Sequence, residues 1–250
     1  MPPPRTLIIT GASRGIGAAI ALNAARSEYQ IVVNYAKDEE AADRVVGQIR
    51  ESGGNAVPVR ADVSVEAEVI ALFQQAEGRF GPIYGLVNNA GITGGFARVD
   101  ETTSPMLERL MAVNVIGPIL CLREAVKKMS TRYGHSGGCI VNISSLAART
   151  GGAGEWVHYA ATKGAIDTLT IGLAREVANE GIRVNAVSPG LVETDLHAAA
   201  GSPDRPARLS PTIPMKRPGT VDEIAAGVLW LLSPEASYVT GTILEIGGGR

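Results

Sequence analysis

"TLIITGASRGIGAAIA" (residues 6–21) carries a strand, a turn and the start of a helix in direct succession. The β-branched run "TLIIT" (6–10) reads as a strand. Immediately after it, Gly11, Gly15 and Gly17 give the spacing GxxxGxG, not the commoner GxGxxG of dinucleotide-binding turns. Glycines at such a corner let the backbone turn tightly and approach a ligand closely. The helix opening there presents unpaired N–H groups suited to a pyrophosphate. Alone, a glycine turn fits any strand-to-helix corner; after the first strand and at the mouth of the first helix it points to a nucleotide site.

Working outward, further strands are expected at "QIVVNY" (30–35), "AVPVRA" (56–61), "YGLVNNA" (84–90), "GCIVNIS" (138–144), "IRVNAVS" (182–188) and "TILEIG" (242–247). Helical stretches lie between them near 15–28, 38–52, 65–79, 104–130, 158–180 and 221–232. Most strand runs are apolar at both alternating positions, which predicts a parallel sheet covered on both faces. Strand–helix alternation along the whole length predicts a doubly wound α/β fold. No composition shift divides the chain, so residues 1–250 are read as one domain. The irregular region at about 189–219, rich in Pro, Gly and small residues, is expected to supply a mobile substrate lid at about 190–218.

Bulk properties narrow the function. Lysine plus arginine (23) nearly balances aspartate plus glutamate (25), leaving no broad basic footprint for nucleic acid. The two cysteines, Cys121 and Cys139, form no CxxC pair, and three scattered histidines predict no metal site. No unbroken apolar run reaches the ~18 residues of a membrane span, and "MPPPRTLIIT" is too short in apolar length for a signal peptide. The expectation is a cytoplasmic protein with a small-molecule ligand, no membrane and no nucleic acid.

Cofactor choice turns on the second strand. Recognition of a ribose 2′-hydroxyl requires an acid about 20 residues beyond the glycine turn, and "VVNYAKDEE" places Asn34 there. Ser13 and Arg14, inside the turn, offer a hydroxyl and a guanidinium to a 2′-phosphate. The reading is NADP over NAD, with Lys37 as an additional charge. Asp38 and Glu39 fit the opening turn of the second helix.

A second constellation is "HYAATKGAI" (158–166), which sets Tyr159 and Lys163 four residues apart. On a helix such positions share one face, with Cβ atoms roughly 5–6 Å apart. A solvated pair on an ordinary helix would look the same; the chemical reading is a phenol whose ionisation is eased by a neighbouring ammonium.

"TGASRGIG" (10–17), "NNAG" (88–91), Asn114 in "MAVNVIG", "ISS" (143–145), "YAATK" (159–163) and "SPGLVETD" (188–195) occur in the order seen in short-chain dehydrogenases/reductases, and "YVTGTILEIGGG" (238–249) resembles that family's closing strand. The resemblance spans nearly the whole chain. It implies a Rossmann-like three-layer sandwich with a seven-stranded parallel sheet in the order 3-2-1-4-5-6-7, and NAD(P)-dependent alcohol/carbonyl chemistry by a homotetramer (or homodimer).

Carried over residue by residue, the resemblance implies the catalytic set Asn114, Ser145, Tyr159 and Lys163. Ser145, the second serine of its pair, matches the family position, although "LAARTGGAGEWVH" between it and Tyr159 is slightly longer than the commonest pattern. Asn114 is implied to hold a helix irregularity and a water leading from Lys163 to solvent. Around the cofactor the resemblance implies Gly11, Ser13, Arg14, Gly15, Ile16, Gly17, Asn34, Asp62, Val63, Asn89, Ala90, Gly91, Tyr159, Lys163, Pro189, Gly190, Val192 and Thr194. Asp62 serves equally as an adenine contact or as a turn residue beside Ser64. Arg149, Glu155, Trp156, His158 and His197 are candidates near the substrate. Sugar alcohols, keto-esters, acyl-carrier thioesters, steroids and quinones all fit this reading. A non-catalytic dinucleotide sensor on the same fold is the rival function.

Overall fold

In the computed structural model, which describes residues 5–27, 29–194, 201–202 and 204–250, seven parallel strands form one sheet in the order β3-β2-β1-β4-β5-β6-β7. They are β1 (Arg5–Ile9), β2 (Tyr29–Tyr35), β3 (Asn55–Arg60), β4 (Ile83–Asn88), β5 (Gly138–Ile143), β6 (Ile182–Pro189) and β7 (Ile243–Ile246). Register is set between neighbours, Ile8 standing opposite Val32 on one side and Leu86 on the other.

Alternate strand residues feed two cores. Leu7, Ile9, Ile31 and Val33 pack with α1 (Gly15–Ala24), α2 (Glu39–Glu51) and α9 (Val221–Leu232). Ile8, Val32, Leu86 and Ile140 pack with α3 (Glu66–Phe80), α5 (Gly117–Met129) and α7 (Val157–Val177). This is the physical reason the strands read as continuous apolar runs: both faces lie under helices. The fold is the doubly wound α/β sandwich the sequence predicts.

Asp38 caps α2, its Oδ1 accepting the Ala41 N–H at 3.0 Å, with Glu39 and Glu40 in the first turn. Carboxylates at a helix N-terminus complement its dipole.

The expected 104–130 helix is interrupted. α4 (Ser104–Met111) passes into a π-helical turn at Ala112–Ile116 before α5 begins. Taken as one helix, Ser104–Met129 is long and apolar enough by composition to cross a membrane, with an 18-residue window at mean hydropathy 1.4, 39% of it buried. Its inner face, including Leu110, Leu122, Ala125 and Met129, is buried. The span is not an unbroken apolar run, because Glu108, Arg109, Arg123 and Glu124 interrupt it.

A short helix α6 (Ala147–Thr150) follows β5, and the region expected to be irregular contains α8 (Arg205–Leu209). The two ends of that loop are pinned together, Gly219 N–H donating to Leu191 O at 2.9 Å and Glu193 N–H to Gly219 O at 3.1 Å. His197 lies outside the described residues.

Candidate active site

A cavity of about 1220 Å³ runs along the residues that follow β1, β4, β5 and β6. It spans the point between β1 and β4 where the strand order reverses, the usual place for a ligand in an open parallel sheet.

The glycine turn forms one end. Gly11 has φ 62°, and a Cβ there would lie 2.9 Å from Ala90 Cα. Thr10 Oγ1 accepts the N–H groups of Asn89 and Ala90 at 3.0 Å each. Asn89 Nδ2 in turn donates to Thr10 O and Gly11 O at 2.9 and 3.0 Å. Ser13, Arg14, Gly15 and Ile16 line the cavity. Arg14 precedes α1 with no side-chain cap, which leaves the helix's first amides for a ligand.

Two expected cofactor residues work from behind. A Cβ on Gly17 would meet Asn89 Nδ2 at 2.5 Å and Gly11 O at 2.6 Å, and Gly17 is absent from the cavity wall. It permits the turn to pack and lies off the cavity wall. Asn34 borders the cavity, but its amide is spent on backbone: Oδ1 accepts Gly11 N–H at 3.2 Å, and Nδ2 donates to Val59 O and Ala61 O at 3.2 and 3.0 Å.

Asp62 and Val63 line the same end, as do Asn89, Ala90 and Gly91. The turn reading of Asp62 is realised, with Oδ1 accepting from Ser64 N and Oγ at 3.0 and 2.7 Å. Burial pushes this carboxyl up, but Ser64 and the Arg109 guanidinium at 2.8 Å outweigh it and hold the pKa below its usual value. Arg109 had no mark in the sequence; it reaches from α4 to the segment that follows β3, donating to Ser64 Oγ at 2.7 Å and Asp62 Oδ2 at 2.8 Å.

At the other end, α7 brings Tyr159 and Lys163 to the cavity, both buried. Lys163 Nζ lies 5.7 Å from the Tyr159 ring centroid and donates to Ile143 O at 2.8 Å. The serine pair divides its labour. Ser144 Oγ donates to Lys163 O at 3.3 Å and ties α7 to the end of β5, whereas Ser145 hydrogen-bonds the Tyr159 phenol.

Asn114 sits inside the π-helical turn and off the cavity wall. Its Oδ1 accepts Ile92 N–H at 2.9 Å, and its Nδ2 donates to Ile92 O at 2.8 Å and Thr162 Oγ1 at 3.1 Å. It nonetheless stands near the lysine: a Cβ on Gly91 would lie 3.5 Å from Asn114 Oδ1 and 3.7 Å from Lys163 Nζ. Pro189, Gly190, Val192 and Thr194 complete this side.

The electrostatics differ from the sequence expectation. Burial pushes the Tyr159 phenol up to about 12, while the Ser145 hydrogen bond and the charge of Arg205 pull the other way. Burial likewise lowers Lys163 to about 8, opposed by Asp167 one helical turn on. For both groups burial is the largest influence, and it disfavours the charged form.

Of the substrate candidates, Glu155 and Trp156 line the cavity but Arg149 and His158 do not. Arg149 pairs with Glu245 at 3.0 Å on the surface. His158 faces Gly95 O, 3.2 Å from its Nε2. Phe96 stacks on Trp156 with centroids 4.7 Å apart. Arg205, unmarked in the sequence, joins them from α8.

The family model described as enoyl-(acyl carrier protein) reductase matches residues 11–250. An uncharacterized oxidoreductase YgfF of Escherichia coli is 48% identical over 97% of this chain and 98% of its own. Glucose 1-dehydrogenase 2 of Bacillus subtilis is 38% identical over 98% and 94%. The solved structure of a variant Serratia marcescens short-chain dehydrogenase/reductase superposes with a TM-score of 0.90 at 33% identity, covering 99% of this chain and 98% of that one. The chain belongs to the short-chain dehydrogenase/reductase family.

As a short-chain dehydrogenase/reductase it is an oxidoreductase of alcohol or carbonyl groups, and the family works with a nicotinamide dinucleotide. The residues fit such a group: the backbone of Gly11 and its neighbours makes a wall without side chains, and α1 offers uncapped amides to a pyrophosphate. The cavity continues from there past Asn89–Gly91 to Tyr159.

Proposed function

We propose that this enzyme is an NADP(H)-dependent oxidoreductase interconverting a secondary alcohol and a ketone, with Tyr159 as general acid/base. The observation that carries this reading is the phenol itself, buried at one end of the dinucleotide-sized cavity and hydrogen-bonded by Ser145. When bound, the nicotinamide supplies the hydride exchange. The chain's own groups do the rest.

Tyr159 exchanges a proton with the substrate oxygen, and Ser145 donates to that same oxygen as charge develops there. Lys163, near the Tyr159 ring and Asn114, holds the positive charge and the route by which a proton is replaced. Ser13 and Arg14 face the 2′-phosphate; Asn34, engaged with backbone, leaves no acid in the ribose position, and Asp38 is engaged as a helix cap. Lys37, exposed on the cavity wall, adds charge there. The substrate is a small carbonyl compound such as a sugar or keto-ester.

This reading takes the chain as one domain, with the segment about 190–218 closing over substrate. It sets the enzyme in the cytoplasm as a homotetramer, for which Ile116, Ile119, Val157 and Ile171 offer exposed apolar surface on neighbouring helices.

Tyr159→Phe tests the reading. It should lower turnover by about a hundred- to ten-thousand-fold, the range of general acid–base help, with NADP affinity by fluorescence titration nearly unchanged. Undiminished turnover would remove the acid–base role.

A further inference from the structure

Three groups gather beside the phenol without belonging to the family pattern. Arg205 opens α8, and its side chain is only 7% exposed. Its Nη2 lies 2.6 Å from Glu155 Oε2 and its Nε 3.5 Å from Oε1. The guanidinium carbon stands 4.4 Å from the centroid of the Trp156 ring, and that ring is 5.5 Å from the ring of Tyr159, tilted by 50°. A cation this buried persists only when it is paired and hydrogen-bonded. Among the described residues, Glu155 is the carboxylate that pairs with it.

We propose that Arg205 is a positioning residue: held by Glu155 against the Trp156 ring, it places a fixed cation at the Tyr159 end of the cavity, and Glu155 sets how much of that charge the phenol feels. The inference rests on the reading of Tyr159 as acid/base. A guanidinium suits the task because it is always charged and its planar fork pairs with carboxylate while stacking on an aromatic ring. Lys163 is placed differently. Its Nζ is turned to Ile143 O, and burial lowers its pKa to about 8, so its charge is lost at alkaline pH where that of Arg205 persists.

The charged and titratable groups around the phenol can be named element by element. From α7 itself come Lys163 and Asp167, with His158 turned to Gly95 O. Glu155 comes from the segment before α7 and Arg205 from α8, and Arg250 stands at the cavity wall. Of the guanidinium groups, Arg205 is the one whose charge draws the phenol downward, against burial.

The two partners therefore make opposite predictions. Removing Arg205 leaves Glu155 facing the phenol uncompensated and hinders its ionisation; removing the Glu155 charge exposes the phenol to the full cation and eases it. The test is an alkaline titration of tyrosinate ultraviolet absorbance on protein saturated with NADP⁺, each spectrum referenced to the same protein carrying Tyr159→Phe. Arg205→Met should raise the Tyr159 midpoint by about 1 pH unit and Glu155→Gln should lower it by about 1, at the low end of what a neighbouring charge does. Arg205→Lys, which keeps the charge, should stay near wild type.

The pH profile of kcat for oxidation of whichever of glucose or cyclohexanol the wild type turns over faster should move in the same directions. Both variants lowering kcat alike with no midpoint moving, or both midpoints moving the same way, would overturn the inference while Tyr159→Phe stays inactive. An active Tyr159→Phe enzyme would instead bring down the reading beneath it.

Discussion

Around the glycine turn, side chains hold backbone: Thr10 takes two N–H groups, Asn89 gives to two carbonyls, and Asn34 joins the turn to β2 and β3. Beyond Tyr159, side chains hold side chains, Arg205 to Glu155 and Trp156 to Phe96. The first arrangement fixes a shape that any dinucleotide presents, and it needs particular small or amide residues at particular positions. The second fixes a surface of side chains, and many residue pairs could make such contacts. A fixed backbone shape demands precision at each position, while contacts between side chains can be exchanged without moving the backbone.

The comparison breaks first at Gly17. Gly17→Val would drive a side chain into Asn89 Nδ2 and Gly11 O, already 2.5 and 2.6 Å from a Cβ. Nucleotide affinity should fall by about a hundredfold, the upper end of what 1–3 kcal/mol of overpacking implies, read by quenching of the two tryptophans. Normal affinity would show that the turn can shift, and would weaken the contrast between the two ends.

Arg14→Ala sharpens it next. Loss of a charge-assisted hydrogen bond, about 1.5–3 kcal/mol, should weaken NADP by roughly tenfold or more and leave NAD little changed, as measured by titration with each. Equal losses would mean that Arg14 holds the pyrophosphate common to both.

The smallest effect is on stability. In the folded chain Lys163 is lowered by burial to about 8 from the ordinary 10.5, so the fold opposes its protonation. Stability should fall as pH drops from 10.5 towards 8 and level off below that, since the unfolded chain binds the proton first. Lys163→Met should remove this slope and raise Tm by about 2–4 °C at neutral pH, roughly what 1 kcal/mol gives in a chain of this size, while abolishing turnover. A lower Tm would mean that the bond from Nζ to Ile143 O stabilises more than the buried charge costs.

Much of this was legible in order along the chain. Strand alternation gave the layers, and Gly11, Tyr159 and Lys163 stood out because their spacing carries local geometry. Gly17 and Asn34 were marked as cofactor residues, but their packing was not legible, since only the folded turn shows that Gly17 is covered by Asn89 and that the Asn34 amide bonds backbone. Arg109 and Arg205 gave no sign, because an arginine in a helix or a loop has no local pattern that reveals its partner.

What the sequence alone determined is the alternation of apolar strands and helices, the place of the glycine turn and the one-turn separation of Tyr159 from Lys163. Each follows from a period or a steric limit that acts within a few residues. The tertiary structure decided which serine meets the phenol, where Asp62 and Glu155 find their cations, and that burial of the tyrosine outweighs the pull of Ser145 and Arg205. Those depend on distances between segments far apart in the chain and on how much water is excluded between them, neither of which a local pattern encodes.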